Sequence, residues 1–379
     1  MSIDVSMSRP TLQMAAGNVA AEAASPMLEL RSVRKSYGNL TVVKDVSLSV
    51  GRGEFVSVLG PSGSGKTTIL MAIAGFVGLS GGSIHLGGRN VTDTAPHRRN
   101  IGMVYQHYAL FPHMQVDKNV AFPLAMRGVP AETIKKKVAN ALEIVQLSAM
   151  AHRYPSELSG GQQQRIALAR ALVFEPTMLL MDEPLGALDN KLREDMQREI
   201  RKIQQELDIT TLYITHDQNE ALTMSDRVVV MSNGRIEQAG TPKEVYEKPA
   251  NSFVANFIGD ANLIDVKISD SAARLGSTQA GTLVQLPELN GLTQGTACKA
   301  MIRPEHVRVS RLNGDGKDKG LRGSILYATY IGTAWRYSVQ LESGECLIAV
   351  VTNDQLGPVP VSTDVVVSWD PRHVWLLRD

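Results

Sequence analysis

The fold is decided by one stretch, Phe55-Val-Ser-Val-Leu59 followed by Gly60-Pro-Ser-Gly-Ser-Gly-Lys66-Thr67. The first five residues are almost continuously apolar, which is typical of a strand buried in a parallel sheet. The next eight fit GxxxxGK[ST], the pattern of a phosphate-binding loop. An apolar helical pattern continues from Thr67 to Ala74. This order of strand, loop and helix predicts backbone amides that face a phosphate group at the start of a helix.

The residue types of this loop indicate how it would hold a nucleotide. Glycines let the backbone approach phosphates closely. Lys66 is expected to contact the β and γ phosphates, and the Thr67 hydroxyl to ligate Mg²⁺. The alternative is a glycine-rich turn that contains a lysine by chance, and the motifs that follow weigh against it. The predicted nucleotide-binding residues of the loop are Gly60, Pro61, Ser62, Gly63, Ser64, Gly65, Lys66, Thr67 and Thr68.

A second apolar run, Met178-Leu-Leu-Met-Asp182-Glu183, ends in two acids. Charges are costly inside a buried strand, but ligands bind at the carboxyl ends of strands in such sheets. Asp182 suits the outer shell of Mg²⁺, and Glu183 suits polarisation of an attacking water. The alternative is a pair of solvated acids before a turn at Pro184.

A third motif, Leu158-Ser159-Gly160-Gly161-Gln162, opens a predicted helix. A Ser-Gly-Gly start leaves backbone amides free at the positive end of the helix, which makes a second anion site. One nucleotide does not need two such sites in one chain. The second site is therefore predicted to serve the nucleotide of another copy.

With these motifs the chain resembles the ATP-binding cassette family over roughly Leu28 to Gly259. The resemblance implies that ATP is bound with Mg²⁺ and hydrolysed. It also implies that two copies pack head to tail as a homodimer, with each ATP between one phosphate loop and the opposite LSGGQ motif. Ser159, Gly161 and Gln162 would then contact the γ phosphate across the dimer.

The resemblance assigns four more residues individually. Tyr37 would stack on adenine, Gln106 would sense Mg²⁺ and the membrane partner, Asp189 would link the two active sites, and His216 would contact the γ phosphate. Taken alone, Tyr37 is also compatible with a strand-end tyrosine, and His216 with a structural histidine. The expected catalytic residues are Lys66, Gln106, Glu183 and His216, and the expected metal ligands are Thr67, Gln106 and Asp182.

The fold class follows from alternating strand and helix patterns, which predict an α/β sheet with helices on both faces. Helical patterns cover Ala131–Leu147 and Gly161–Val173. The expectation is a P-loop NTPase of the cassette type with a helical subdomain, followed by a small all-β, OB-like domain. We predict a disordered extension at residues 1–26, the cassette at 27–259 and the accessory domain at 260–379.

The C-terminal domain narrows the resemblance. Ile302-Arg-Pro-Glu305 and Trp369-Asp-Pro-Arg-His-Val-Trp375 resemble the TOBE domain of importer ATPases. The segment from Phe257 to Leu263 is most similar to the putrescine/spermidine branch. Ferric iron, sulfate and sugar import remain alternatives, and a non-transport ABC ATPase is a more distant one.

Composition bounds the possible partners. The formal net charge of +1, from 39 basic and 38 acidic residues, gives no indication of nucleic-acid binding. Cys298 and Cys346 are predicted to be buried thiols in a reducing cytosol. No apolar run is long enough to cross a bilayer. The resemblance therefore implies two integral-membrane permease subunits, an extracytoplasmic substrate-binding protein, and a peripheral location on the cytoplasmic face of the inner membrane.

Overall fold

The computed structural model describes residues 25–186, 188–278, 281–289, 291–312, 320–353 and 359–378. The predicted extension at residues 1–26 lies outside these ranges, apart from its last two residues. Within these ranges, the strands between Leu28 and Gly240 form two sheets. Their bounds are β1 Leu28–Tyr37, β2 Leu40–Val50, β3 Phe55–Leu59, β4 Gly81–Leu86, β5 Arg89–Asn90, β6 Ile101–Val104, β7 Met178–Asp182, β8 Thr210–Thr215, β9 Arg227–Ser232 and β10 Arg235–Gly240.

The central sheet has the strand order β10-β9-β3-β8-β7-β6. The pairs of β3 with β8 and β9, of β7 with β8 and of β6 with β7 are parallel, and only the hairpin of β9 and β10 is antiparallel within this sheet. All five residues of β3 and all six of β8 are buried, which explains why neither strand contains a charged residue or alternates between polar and apolar residues. The carboxyl ends of β3, β6, β7 and β8 therefore lie along one edge, where ligands bind in such sheets.

The helices confirm the predicted α/β pattern. The two predicted helical segments become Ala131–Ile144 and Gly160–Leu172, each close to the expected bounds. Short 3₁₀ turns occur at Pro96–Arg98, Ser148–Met150, Pro155–Glu157, Pro304–His306 and Pro371–His373. In the described ranges the α-helices are α1 Lys66–Ala74, α2 Val116–Met126, α3 Ala131–Ile144, α4 Gly160–Leu172, α5 Asn190–Leu207, α6 Gln218–Met224, α7 Pro242–Glu247 and α8 Ser252–Phe257.

One feature of the cassette was not predicted from the sequence. The strands β2, β1, β4 and β5 form a separate antiparallel sheet in that order. Its inner side chains join α1 and the central strands in one apolar core that includes Leu30, Val46, Ile73 and Leu180. One core of the central sheet is therefore formed by α1 together with the antiparallel sheet, and not by helices alone.

The chain beyond Asn262 is all-β, as predicted. Its described strands form two antiparallel sheets in the orders β13-β12-β11-β14-β20 and β15-β19-β16-β17-β18. They share one core, and Asn262 ties them together because its side chain accepts from Ile348 N (2.7 Å) and donates to Ile348 O (2.8 Å). The bounds are β11 Asn262–Asp270, β12 Leu275–Thr278, β13 Leu283–Gln285, β14 Ala297–Ile302, β15 Arg308–Arg311, β16 Leu321–Tyr330, β17 Ala334–Leu341, β18 Cys346–Thr352, β19 Asp364–Ser368 and β20 Val374–Leu377.

The two cysteines differ in exposure. Cys298 is buried, as predicted, but Cys346 is exposed. The prediction for Cys346 was wrong because β18 alternates, and Cys346 begins it on the outward side while Leu347 faces the core. None of the helices in the described ranges combines the length and the apolar composition that a membrane span requires.

Candidate functional site

The phosphate loop joins β3 to α1. Lys66 is the first residue of α1, and its buried ammonium donates to the carbonyl oxygens of Gly60 (2.8 Å) and Pro61 (3.1 Å). Burial lowers the pKa of Lys66, and the charges of Glu183 and Asp182 partly oppose that shift. The lysine is thus held inside the loop at the positive end of a helix.

The loop fits a phosphate group. A Cβ at Gly60 would lie 2.3 Å from the carbonyl oxygen of Met231, so only glycine allows this close approach. The Ser64 hydroxyl is buried and has no hydrogen-bond partner among the described residues. A buried polar atom without a partner is costly, and a ligand oxygen beside the loop would remove that cost.

The carboxyl end of β7 brings Asp182 to this loop. The Thr67 hydroxyl lies 3.5 Å from Asp182 Oδ1, so two of the three predicted metal ligands are neighbours. Burial, and then the charge of Glu183, raises the pKa of Asp182, while the hydrogen bond from Thr67 and the charge of Lys66 lower it. Hydroxyl and carboxylate oxygens are the ligands that Mg²⁺ prefers, so these residues fit that ion.

Glu183, Gln106 and His216 meet at the ends of three strands. Gln106 Nε2 donates to Glu183 Oε2 at 3.3 Å, and His216 Nδ1 lies 3.2 Å from the same oxygen. The imidazole is 63% exposed, so it remains open to a ligand. The third predicted metal ligand, Gln106, thus contacts Glu183 here rather than Thr67 or Asp182.

The backbone of Glu183 is strained. Its φ is +45°, a left-handed conformation that a glutamate rarely adopts, and its amide donates to Ile214 O at 2.9 Å. Such strain costs about 1–3 kcal/mol and is concentrated at functional sites. The amide bond to Ile214 O joins the residue after β7 to β8, which fixes the position from which the Glu183 side chain extends.

The LSGGQ motif caps α4. Ser159 Oγ accepts from Gln162 N at 3.4 Å, and Gln162 Oε1 accepts from Ser159 N at 2.9 Å, which makes a capping box. Gly161 lies where a Cβ would be 3.1 Å from Leu192. Among the described residues no hydrogen bond links Ser159, Gly161 or Gln162 to the phosphate loop; Ser159 and Gln162 bond to each other.

Two predicted residues lie at the margins of the site. Asp189 is the N-cap of α5 and accepts from Leu192 N at 3.0 Å. Tyr37 ends β1 with half of its surface exposed, and the Lys35 ammonium lies 4.7 Å from its ring centroid. An exposed ring of this kind is free to stack on another flat group.

Sequence reasoning missed a polar cluster behind His216. Arg193, Thr215, Asp217 and Glu220 line a cavity of about 20 Å³ together with Glu183, Gly186 and His216. That volume holds one water molecule. The available signal was spacing, since Arg193 follows Asp189 by one helical turn and Glu220 follows His216 by the same distance.

Together, the fold and these contacts define a P-loop nucleotide hydrolase. The chain matches a family model described as "ABC transporter" over residues 43–186 and a second described as "TOBE domain" over residues 300–377. It is 47% identical to a protein of Acidothermus cellulolyticus over 93% of this chain and 94% of that one. A Nitrosomonas eutropha protein is also 47% identical, over 93% and 99%. Both are named spermidine/putrescine import ATP-binding protein PotA.

Solved structures agree with the cassette fold. Clostridium perfringens cbiO1, part of the ABC transporter complex cbiONQ, matches with a TM-score of 0.55 and 30% identity, over 58% of this chain and 90% of that one. A dimeric ATP-binding cassette bound to ADP and Pi matches with a TM-score of 0.51 and 33% identity, over 57% and 99%. The chain belongs to the ABC transporter family, as one of its ATP-hydrolysing subunits with a C-terminal TOBE domain.

Proposed function

We propose that this chain powers an import system for the polyamines spermidine and putrescine. The assignment of polyamines as the cargo rests on sequence identity. The chain is 44–47% identical, over 84–96% of its length, to relatives named as spermidine/putrescine import proteins. We assign selectivity for the cargo to a permease and a binding protein rather than to this chain.

The contacts at the strand ends support specific roles. Lys66 and the amides of the phosphate loop bind the β and γ phosphates, and Tyr37 stacks on adenine. Glu183 takes the proton of the attacking water, and His216 contacts the γ phosphate. Thr67, Asp182 and Gln106 would hold Mg²⁺, which neutralises phosphate charge when bound.

The active unit in this proposal is a head-to-tail homodimer. Ser159 is the N-cap of α4, and the first two helical residues, Gly160 and Gly161, present backbone amides that have no intrahelical acceptor, which suits a nucleotide held by the other copy. The similarity to a solved cassette dimer bound to ADP and Pi supports the same arrangement. Asp189, at the start of α5, would lie where the two sites meet.

The partners follow from the transport role. We assign two integral-membrane permease subunits and an extracytoplasmic substrate-binding protein, with this chain on the cytoplasmic face of the inner membrane. The proposed domain limits are 27–259 for the cassette and 260–379 for the TOBE domain. The match of the TOBE model to residues 300–377 lies inside the second of these.

The test is reconstitution of the full chain with the permease subunits and binding protein of its own transport system. Spermidine or putrescine should stimulate ATP hydrolysis, whereas ferric iron, sulfate and maltose should not. Stimulation by one of the other cargoes, with no response to polyamines, would overturn the assigned cargo and leave the ATPase role intact.

A substitution at the proposed base tests the chemistry in the same complex. Glu183→Gln keeps the shape of the side chain but cannot accept the proton, so ATP turnover should fall by about a hundredfold or more. ATP should remain bound, and the variant should elute as an ATP-loaded dimer. The matched control is Glu206→Gln, an exposed glutamate paired with Lys202. Turnover of Glu183→Gln near the parent rate would contradict the assignment of the base.

A further inference from the structure

A buried carboxylate lies behind the histidine of the site. Glu220 is in the first turn of α6, and its side chain is 3% exposed. One of its oxygens accepts from the Tyr213 hydroxyl (2.8 Å) and from the Thr215 hydroxyl (2.6 Å). Burial raises the pKa of Glu220, and these two hydrogen bonds lower it. An acid buried in this way is costly, and nothing in the proposed hydrolysis uses it directly.

The hydrogen bonds of Glu220 fix both neighbours of His216. Thr215 Oγ1, which donates to Glu220, also accepts from Asp217 N at 2.9 Å. Asp217 Oδ1 in turn accepts from Glu220 N at 3.2 Å and caps α6. The side chains on both sides of His216 are therefore bonded to Glu220: Thr215 through its hydroxyl to the carboxylate, and Asp217 through its carboxylate to the Glu220 amide.

A single guanidinium joins this loop to the segment after β7. Arg193 Nη2 donates to Leu188 O at 3.0 Å, and its Nη1 donates to Asp217 Oδ2 at 3.4 Å. Its Nε lies 3.8 Å from Glu220 Oε1 and has no hydrogen-bond partner among the described residues. Arg193 thus holds Leu188, next to Asp189, against the loop that carries His216.

We propose that Arg193 and Glu220 act as one positioning unit. Through the residues that flank His216, this unit sets the distance between His216 and Glu183. Neither residue needs to touch the nucleotide. The Glu220 carboxylate orients His216 through the Thr215 hydroxyl, and Arg193 ties Asp217, on the other side of His216, to the segment of Leu188 and Asp189. The inference rests on the proposed roles of Glu183 and His216.

Removing the charge of Glu220 isolates this role. Glu220→Gln keeps the volume and one acceptor oxygen, so Tyr213 and Thr215 can still donate, but the contact with Arg193 loses its ionic character. A displacement of the reacting groups by about 1 Å costs up to a hundredfold in rate, so kcat should fall about tenfold to a hundredfold. The KM for ATP should change less than about twofold, because the phosphate loop is untouched.

The experiment measures kcat and KM for Mg-ATP in the complete transporter. The variants are Glu220→Gln, Arg193→Met, Arg193→Lys and the double variant Arg193→Met with Glu220→Gln. Arg193→Lys keeps the charge and should recover part of the kcat lost in Arg193→Met. The controls are Glu206→Gln and Arg198→Met, whose partners are exposed residues on the same helix. Both controls should keep the parent kcat.

The double variant decides whether the two residues act together. A unit predicts that the double variant loses no more than about the larger single loss, whereas independent residues multiply their losses. Multiplied losses, or a Glu220→Gln variant within twofold of the parent kcat, would overturn the inference while leaving the proposed function standing. An inactive parent complex would instead overturn the proposed function and this inference with it.

Folding is monitored separately by thermal unfolding of each variant. If Glu220→Gln and Arg193→Met fail to fold, Tyr213→Phe removes one hydrogen bond of Glu220 without a charge change. Its kcat should then fall with KM unchanged, and a parent-like kcat would overturn the proposal.

Discussion

A buried arginine hydrogen-bonds the TOBE domain to the cassette, alongside the other contacts at the junction. Arg303, 2% exposed at the end of β14, donates from Nη1 to Ala255 O and Asp260 O, both at 2.9 Å. Its Nε and Nη2 donate to Tyr246 O at 3.1 and 2.7 Å, and the guanidinium lies 4.1 Å from the centroid of the Tyr246 ring. We predict that Arg303→Met will loosen the TOBE domain from the cassette.

The magnitude follows from the acceptors that the substitution would leave behind. Methionine fills much of the arginine volume, but the carbonyl oxygens of Tyr246, Ala255 and Asp260 all lose a charged donor. Ala255 O is buried and the other two oxygens are partly buried, so each acceptor left unpaired is assigned about 1 kcal/mol, the lower end of the range, and the free energy of unfolding should fall by about 3 kcal/mol at most. The lower end applies because methionine also avoids the cost of burying a charge.

The tryptophans make this change measurable in the full chain. All three, Trp335, Trp369 and Trp375, lie in the C-terminal part, and Trp375 Nε1 donates across the junction to Pro249 O at 3.0 Å. Urea unfolding followed by tryptophan fluorescence therefore reports on the TOBE domain and its contact with the cassette. The control is Arg372→Met, because that side chain is 85% exposed and pairs with Asp370 in the same turn.

The control also defines the result that would refute the reasoning. Exposed substitutions change stability by no more than about 0.5 kcal/mol. If Arg303→Met shifted the free energy of unfolding by no more than Arg372→Met, the buried hydrogen bonds of Arg303 would not be what fastens the two parts.

Two further predictions concern the phosphate loop and the junction. Gly60→Ala should weaken ATP binding by about tenfold or more, because a Cβ there would lie 2.3 Å from Met231 O and the loop would have to shift, at a cost of about 1–3 kcal/mol. Gly63→Ala is the comparison: its Cβ would meet open space, although its φ is +79°, so it should lose less affinity for ATP in the same titration. Burial, with a hydrogen bond to Glu305, raises the pKa of Tyr246 to about 12. Its stabilising contribution is therefore complete below the unfolded pKa of about 10 and is lost as the pH rises through the folded value. In urea unfolding, the advantage of the parent over Tyr246→Phe should hold up to that lower pH and then decline, and an advantage that grew with pH would contradict the assignment.

The parts of the fold that are written locally could be predicted from the sequence. Phe55–Leu59 is a strand with the expected bounds, because burial on both faces produces a continuous apolar run. The helix that begins after Ser159 could also be predicted, because the capping box that starts it depends on residues only three positions apart. The strand-end position of Glu183 was expected from the rule that ligands bind at the carboxyl ends of parallel strands, whereas His216 was assigned to the site only by the family resemblance; the structure places the two side chains 3.2 Å apart.

The remaining features depend on residues far apart in the chain. The antiparallel sheet of β2, β1, β4 and β5 pairs Leu28 with both Val50 and Leu86, a register that no local pattern specifies. The contact of Gln106 with Glu183 spans 77 positions. Cys346 shows the same limit of sequence-based prediction at a single residue. Cysteine is usually buried, but the alternation of side chains along β18 places this one on the exposed face.

The start of α4 and the loop of His216 would serve different nucleotides, yet a continuous set of contacts joins them within one chain. Gly160 and Gly161 begin α4 where side chains would meet Leu188 and Leu192, so the helix start is packed on the Asp189 segment. Arg193 holds Leu188 O and reaches the loop of His216. A nucleotide bound at the amides of α4 would therefore contact a helix start that is packed against a segment hydrogen-bonded to the His216 loop of the same chain. Arg193→Met should for this reason lower kcat without weakening ATP binding to Lys66, and equal losses in both would place the fault in the phosphate loop instead.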